Sequence, residues 1–144
     1  MVLISHRGNL NGINLEMENK PEYINYALES GFNVEIDVWY HKEKFFLGHD
    51  NPTYLTSIDF LKNEYLWCHA KSIETLRKLI SFEDIHCFYH ESDPVTLTSK
   101  NFLWTYPKNQ LTNRSICVES NRKSINDIKN KCFGLCSDYV GLIL

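Results

Sequence analysis

Apolar and polar positions alternate along the chain in stretches that predict strands and helices by turns. Val2 to Ser5 is a short apolar run and predicts a buried strand. Asn9 to Met17 is polar and irregular. Pro21 suits a first helical position, Tyr23, Ile24, Ala27 and Leu28 recur at helical spacing, and Gly31 stands where a helix cap belongs. Val34 to Tyr40 predicts the second strand, Lys42-Glu43 a turn, and Lys44 to Leu47 a hairpin arm that delivers His49. Residues 50–56, with Pro52, read as a loop, and Ser57 to Asn63 as a short helix. Tyr65 to Lys71 predicts the third strand, and Ser72 caps a helix striped by Ile73, Leu76, Leu79 and Ile80. Strands four to seven fall at Ile85 to His90, Phe102 to Tyr106, Ser115 to Glu119 and Cys132 to Ser137. Ser124 caps a short helix carrying Ile125 and Ile128.

Strands alternating with helices argue for a parallel α/β architecture. A standard (β/α)₈ barrel takes about 250 residues, with roughly 200 as the lower end. This chain has 144. The gaps after strands four and five are too short for full crossover helices. The expected fold is a reduced TIM-type (β/α) barrel, one domain over residues 1–144, with seven or eight parallel strands and several missing or shortened helices. Faces left bare by those helices favour a homo-oligomer.

Composition narrows the partners. A hydrophobic content of 43 % with 13 % aromatics is enough for a packed core. A net charge of −3 gives no basic footprint for nucleic acid, and no polybasic segment suits anionic lipid. No window approaches the roughly 18 apolar residues of a membrane span. The first residues lack the pattern of a signal peptide, so a cytoplasmic protein is expected. Cys68, Cys87, Cys117, Cys132 and Cys136 are odd in number and mostly lie in apolar runs, which predicts buried thiols rather than a zinc site.

The chemistry centres on Asn33 to Asp50. Glu35 and Asp37 are two residues apart on a strand and aim the same way, between Val34, Ile36 and Val38. They form either the solvated face of an ordinary strand or a site for a cation, since carboxylate oxygens suit Mg²⁺ or Ca²⁺. His6 and Arg7 end the first strand and add an acid/base group and a fixed cation. In a parallel barrel the C-terminal strand ends would also gather His49, His69, Lys71, His90, Trp104, Tyr106, Glu119 and Asp138.

The ordered set His6-Arg7-Gly8, Glu18-Asn19, Gly31, Glu35-Ile36-Asp37 and His49-Asp50 resembles the glycerophosphodiester phosphodiesterases, within the phospholipase-C-like superfamily. The resemblance implies metal-dependent cleavage of a small soluble phosphodiester, with a cyclic intermediate formed by a neighbouring hydroxyl as one route. His6 and His49 match the family's catalytic histidines, one a base or nucleophile and the other an acid. Glu35 and Asp37 match its metal ligands, and Arg7 and Lys71 would hold phosphate oxygens. His69 is the departure: it stands where the family has a third ligating carboxylate. The metal would then remain Mg²⁺ or Ca²⁺ or shift toward Mn²⁺ or Zn²⁺, a third ligand would come from elsewhere, with Glu119 a candidate, or turnover would be lost. Glu18 is a further candidate from its family position, although acids and Asn favour helix starts in any protein. Trp104 is a candidate flank for a headgroup, though a core position is the commoner reading. Asp138 resembles the family's closing Ser/Thr-Asp pair, where a structural role is the commoner one. Two rivals remain: a sphingomyelinase-D-like lyase that makes cyclic phosphates, and a phosphate-binding module without turnover.

Overall fold

The computed structural model describes residues 1–128 and 130–143. In chain order the strands are β1 (Val2–His6), β2 (Asn33–His41), β3 (Lys44–Leu47), β4 (Tyr54–Thr56), β5 (Leu66–Ala70), β6 (Cys87–Phe88), β7 (Val95–Leu97), β8 (Leu103–Thr105), β9 (Ser115–Val118) and β10 (Gly134–Ser137). The helices are α1 (Pro21–Glu29), α2 (Ile58–Leu61), α3 (Ile73–Leu79) and α4 (Ile125–Ile128), with short 3₁₀ turns at Arg122–Ser124 and Val140–Leu142.

All ten strands join one mixed sheet. Its parallel part runs β6-β5-β2-β1-β10-β9-β8, seven strands side by side. β3 adds antiparallel to β2, β4 to β3, and β7 to β8. The sheet curls but does not close as a barrel. Among the described residues no ladder joins β6 to β8, and β7 takes the free edge of β8. The two sides of the opening meet through side chains, with the Phe88 and Trp104 rings 4.5 Å apart. One backbone bond bridges there as well, from Ser99 N–H to the Cys87 carbonyl at 2.8 Å.

Two expectations change. Residues 50–56 are not all loop, because Tyr54–Thr56 pairs with Phe45–Leu47 as an edge strand. The fourth strand is two residues long rather than six. It ladders only on the β5 side, and Ser99 Oγ, not a neighbouring strand, accepts from Cys87 N–H at 2.9 Å. No helix follows β6 or β8, in keeping with the short gaps.

Strand parity divides the core. On the outer face Val34, Ile36 and Val38 of β2 and Cys68 of β5 pack under Ile24 and Ala27 of α1 and Leu79 of α3. Complete burial of a side chain such as Ile36 is worth about 1.5–3 kcal/mol. On the concave face Ile4, Trp67, Phe88, Trp104, Ile116 and Cys136 form a second cluster. This cluster plugs the lower part of the curl and leaves polar groups at the C-terminal ends of the parallel strands.

Candidate functional site

The first element of the site is the turn that ends β1. Arg7 and Gly8 both have positive φ, 55° and 94°, so the chain reverses within two residues. A Cβ at Gly8 would lie 2.6 Å from Tyr23 Cδ1, which excludes a larger residue there. Asn9 is fully buried and holds the turn: its Nδ2 donates to Glu18 Oε1 and to Asp138 Oδ1, each at 2.9 Å. Arg7 Nη1 donates to Glu18 Oε2 at 3.0 Å. Glu18 therefore anchors Arg7, and it does not line the cavity.

The second element is the cross-strand pair of β2 and β5. Ladder register sets Glu35 beside His6 and Asp37 beside His69. The alternation that buries Val34, Ile36 and Val38 outside turns Glu35 and Asp37 inward, where they are 2 % and 0 % exposed. That removes the solvated-face alternative. Asp37 is gripped on one side by Asn19, whose Nδ2 donates to Oδ2 and whose Oδ1 accepts the Asp37 N–H, both at 2.9 Å. Arg7 Nε lies 2.9 Å from Oδ2 and Lys71 Nζ 3.4 Å from Oδ1. His69 Nδ1 is 3.2 Å from Asp37 Oδ1 and 3.6 Å from Glu35 Oε1.

Two carboxylate oxygens here, Glu35 Oε2 and Asp37 Oδ1, are buried without a hydrogen-bond partner. Lys71 and His69 already face Asp37 Oδ1, at 3.4 and 3.2 Å. Among the described residues Glu35 Oε2 has only His6 Nε2, at 3.9 Å, and such an oxygen is costly to desolvate unless a cation faces it. Glu35, Asp37 and His69 each offer a ligand atom, all within 4.8 Å of one another. This donor set fits a divalent cation. Glu119 does not belong to the cluster; it lines the cavity and accepts from Asn121 N–H at 2.7 Å.

Electrostatics follow from the packing. Burial opposes charge on Asp37, but His69, Arg7 and Lys71 outweigh it and hold the carboxyl well below its ordinary range. Burial likewise lowers His69, while its contacts with Asp37 and Glu35 more than reverse this, and the imidazole pKa is raised. His6 behaves alike: burial lowers it, the bond to Asp138 and the field of Glu35 raise it by more, and the net shift is upward.

His6 Nδ1 bonds Asp138 Oδ1 at 2.8 Å, which leaves Nε2 to face the cavity, 3.9 Å from Glu35 Oε2. His49 has the same arrangement with Asp50 Oδ1 at 2.8 Å, but it is far more exposed, 45 % by side chain. Gly48, at φ 148°, lets the chain turn into His49, since a Cβ there would collide with the Asn51 carbonyl. Opposite strands complete the wall with His90, Trp104 and Tyr106. Trp104 is only 2 % exposed and serves the core as much as the cavity. Tyr106 hydroxyl meets His90 Nε2. Burial, then the field of Glu35, pushes its phenol upward.

The cavity is open to solvent and holds about 600 Å³, and His6, Arg7, Glu35, His49, His69, Lys71, Trp104 and Glu119 all line it. Sequence reasoning missed Asn9 and the gripping role of Asn19. The signal for both was weak: a buried Asn inside a polar stretch has no periodicity to betray it. No protein-family model matches the chain, and no curated protein matches it significantly. Among the described residues no helix is long and apolar enough to cross a membrane.

Proposed function

We propose that this chain is a metal-dependent phosphodiesterase of the glycerophosphodiester type, on a reduced (β/α) barrel that stays open on one side. One observation carries the reading. His6, Arg7, Glu35, His49, His69 and Lys71, named from ordered motifs spread over 66 residues of sequence, line a single cavity at the strand ends.

Glu35, Asp37 and His69 are the residues that would hold a divalent cation, whose chemistry when bound is Lewis-acid offset of charge on a phosphate oxygen. Arg7 is anchored at Nη1 and Nε, so its other N–H groups and the Lys71 ammonium serve the remaining phosphate oxygens. Asp138 and Asp50 occupy Nδ1 of His6 and His49, fixing both rings and presenting Nε2 for proton transfer. His6, with its raised pKa, holds a proton for the leaving alkoxide, and the exposed His49 takes the proton from the attacking hydroxyl. The substrate is a small soluble diester, in keeping with a cavity of about 600 Å³. The free thiols of Cys68, Cys87, Cys117, Cys132 and Cys136 support a reducing, cytoplasmic setting.

The test is hydrolysis of bis(p-nitrophenyl) phosphate and of a glycerophosphodiester panel by metal-stripped protein resupplied with Mg²⁺, Ca²⁺, Mn²⁺ or Zn²⁺. Metal-dependent release that vanishes in the His6→Ala/His49→Ala double variant is the expected result. No release from any substrate with any metal overturns the reading in favour of a binding module. Phosphorus NMR of the product separates an opened monoester from a cyclic phosphate.

A further inference from the structure

We propose that the centre formed by Glu35, Asp37 and His69 discriminates in favour of first-row transition dications, with Mn²⁺ and Zn²⁺ bound ahead of Mg²⁺ and Ca²⁺, and that the His69 imidazole sets this preference through Nδ1. The inference rests on the metal site of the proposed function and names what that site selects.

Three observations carry it. First, register places His69 directly beside Asp37, and its Nδ1 lies 3.2 Å from Asp37 Oδ1 and 3.6 Å from Glu35 Oε1. Donors bonded to one Zn²⁺ at about 2.0–2.1 Å and tetrahedral angles stand roughly 3.3 Å apart, close to these spacings. Second, Asp37 Oδ1, beside the imidazole, and Glu35 Oε2, on the His6 side, are buried oxygens without hydrogen-bond partners, so both carboxylates retain ligand capacity. Third, the ring is held in place. It lies flat on Phe88, centroids 5.1 Å apart at 4°, and on His90, 4.5 Å apart at 11°.

The charge balance points the same way. Ca²⁺ takes roughly six to eight oxygen ligands and Mg²⁺ a near-octahedral oxygen shell, and both bind largely through charge. Here the negative pair is partly offset by Arg7 and Lys71, both at ion-pair distance from Asp37. A neutral imidazole adds no charge but forms a stronger bond to Mn²⁺ and above all Zn²⁺ than to hard cations.

The experiment measures binding, not turnover. Metal-stripped protein is titrated with Zn²⁺, Mn²⁺, Mg²⁺ and Ca²⁺ against a chromophoric chelator, beside His69→Glu and Glu35→Gln. Zn²⁺ outranks Mg²⁺ at most nitrogen-containing sites, so the deciding quantity is the change on substitution. The wild type should take one Mn²⁺ or Zn²⁺ at least a hundredfold more tightly than Ca²⁺. His69→Glu should narrow that ratio at least tenfold, and Glu35→Gln should weaken every ion. Co²⁺-loaded wild type should show one exchangeable imidazole proton shifted far downfield in its NMR spectrum, a readout that survives if His69→Glu fails to fold. Ca²⁺ or Mg²⁺ binding equal to Mn²⁺, an unchanged ratio in folded His69→Glu, or no shifted proton would overturn the proposal. Selective binding without cleavage of any diester would sink the proposed activity and leave this inference standing. Metal-dependent diester cleavage by protein that binds Ca²⁺ or Mg²⁺ as tightly as Mn²⁺ would do the reverse.

Discussion

β2 and β5 are nine and five residues long and lie under α1 and α3, and the five-residue β1 runs beside β2 under the 3₁₀ turn at Val140–Leu142. β8, β9 and β10 are three, four and four residues long, and α4, with four described residues, packs on β9 and β10, while the two-residue β6 takes its cover from α3. The first half supplies the cationic groups of the cavity and Glu35: His6, Arg7, Glu35, His69 and Lys71. The second supplies mainly a wall of His90, Trp104 and Tyr106, together with Asp138 and Glu119. Groups that must hold a geometry to within about half an ångström need rotamers locked by packing behind them. Groups that only bound a cavity do not. Among the described residues the longer helices stand behind the charged strands β2 and β5.

The largest break in that comparison should come from chemistry. His6→Ala and His49→Ala should each lower diester turnover by about 10²–10⁴-fold, with far-UV circular dichroism unchanged. Tyr106→Phe, on the opposite wall, should lower it less than about tenfold. Losses of equal size would mean that the wall takes part in the reaction.

Stability should show the same asymmetry. Ile36→Ala, under α1 and α3, should cost about 2–5 kcal/mol in urea unfolding. Ile125→Ala, on α4, should cost less than half as much because the smaller cluster over β9 and β10 can relax. Equal midpoint shifts would show one uniformly packed core.

His86 gives a pH test confined to the second half. It is buried, its Nε2 bonds Thr98 Oγ1 at 2.7 Å, and burial with nearby Lys100 pulls its pKa down to about 4. The unfolded imidazole titrates near 6.5. Between these values the unfolded chain binds the proton and the native chain does not. Stability from this group is therefore fully present above about 6.5 and falls as pH drops toward 4, by on the order of 3 kcal/mol in all. His86→Gln should flatten that slope in pH-dependent melts; an unchanged slope would place the titration elsewhere.

Helix caps set the smallest contrast. Ser72 accepts from Thr75 N–H at 3.1 Å, and Ser72→Ala should cost about 1 kcal/mol. Asn121 caps only a 3₁₀ turn, and Asn121→Ala should cost a few tenths of a kcal/mol. Thermal melts resolve the difference, and a larger loss at Asn121 would reverse the comparison.

Parity made much of the site legible. Val34, Ile36 and Val38 alternate with Glu35 and Asp37, so one pass along β2 separates the outer core from the inner carboxylates. The short gaps after strands four and five announced missing helices in the same way. β4 and β7 were not legible, since three residues at a sheet edge are too few to show a period. Glu18 was read from its position but not from its contact, which is with Arg7 rather than with the cavity.

Local pattern settles the strands long enough to show a period, the face each of their residues takes, and where tight turns fall, because those depend on neighbours a few residues away. Long-range pairing is decided only when the strands meet. His6 finds Asp138 across 132 residues, and His69 finds Asp37 because β5 pairs with β2 in one register and no other. Whether the sheet closes is also a tertiary outcome. β7 competes for the edge of β8, a two-residue β6 offers too little backbone to win it, and Phe88 meets Trp104 by side chain across the opening that remains.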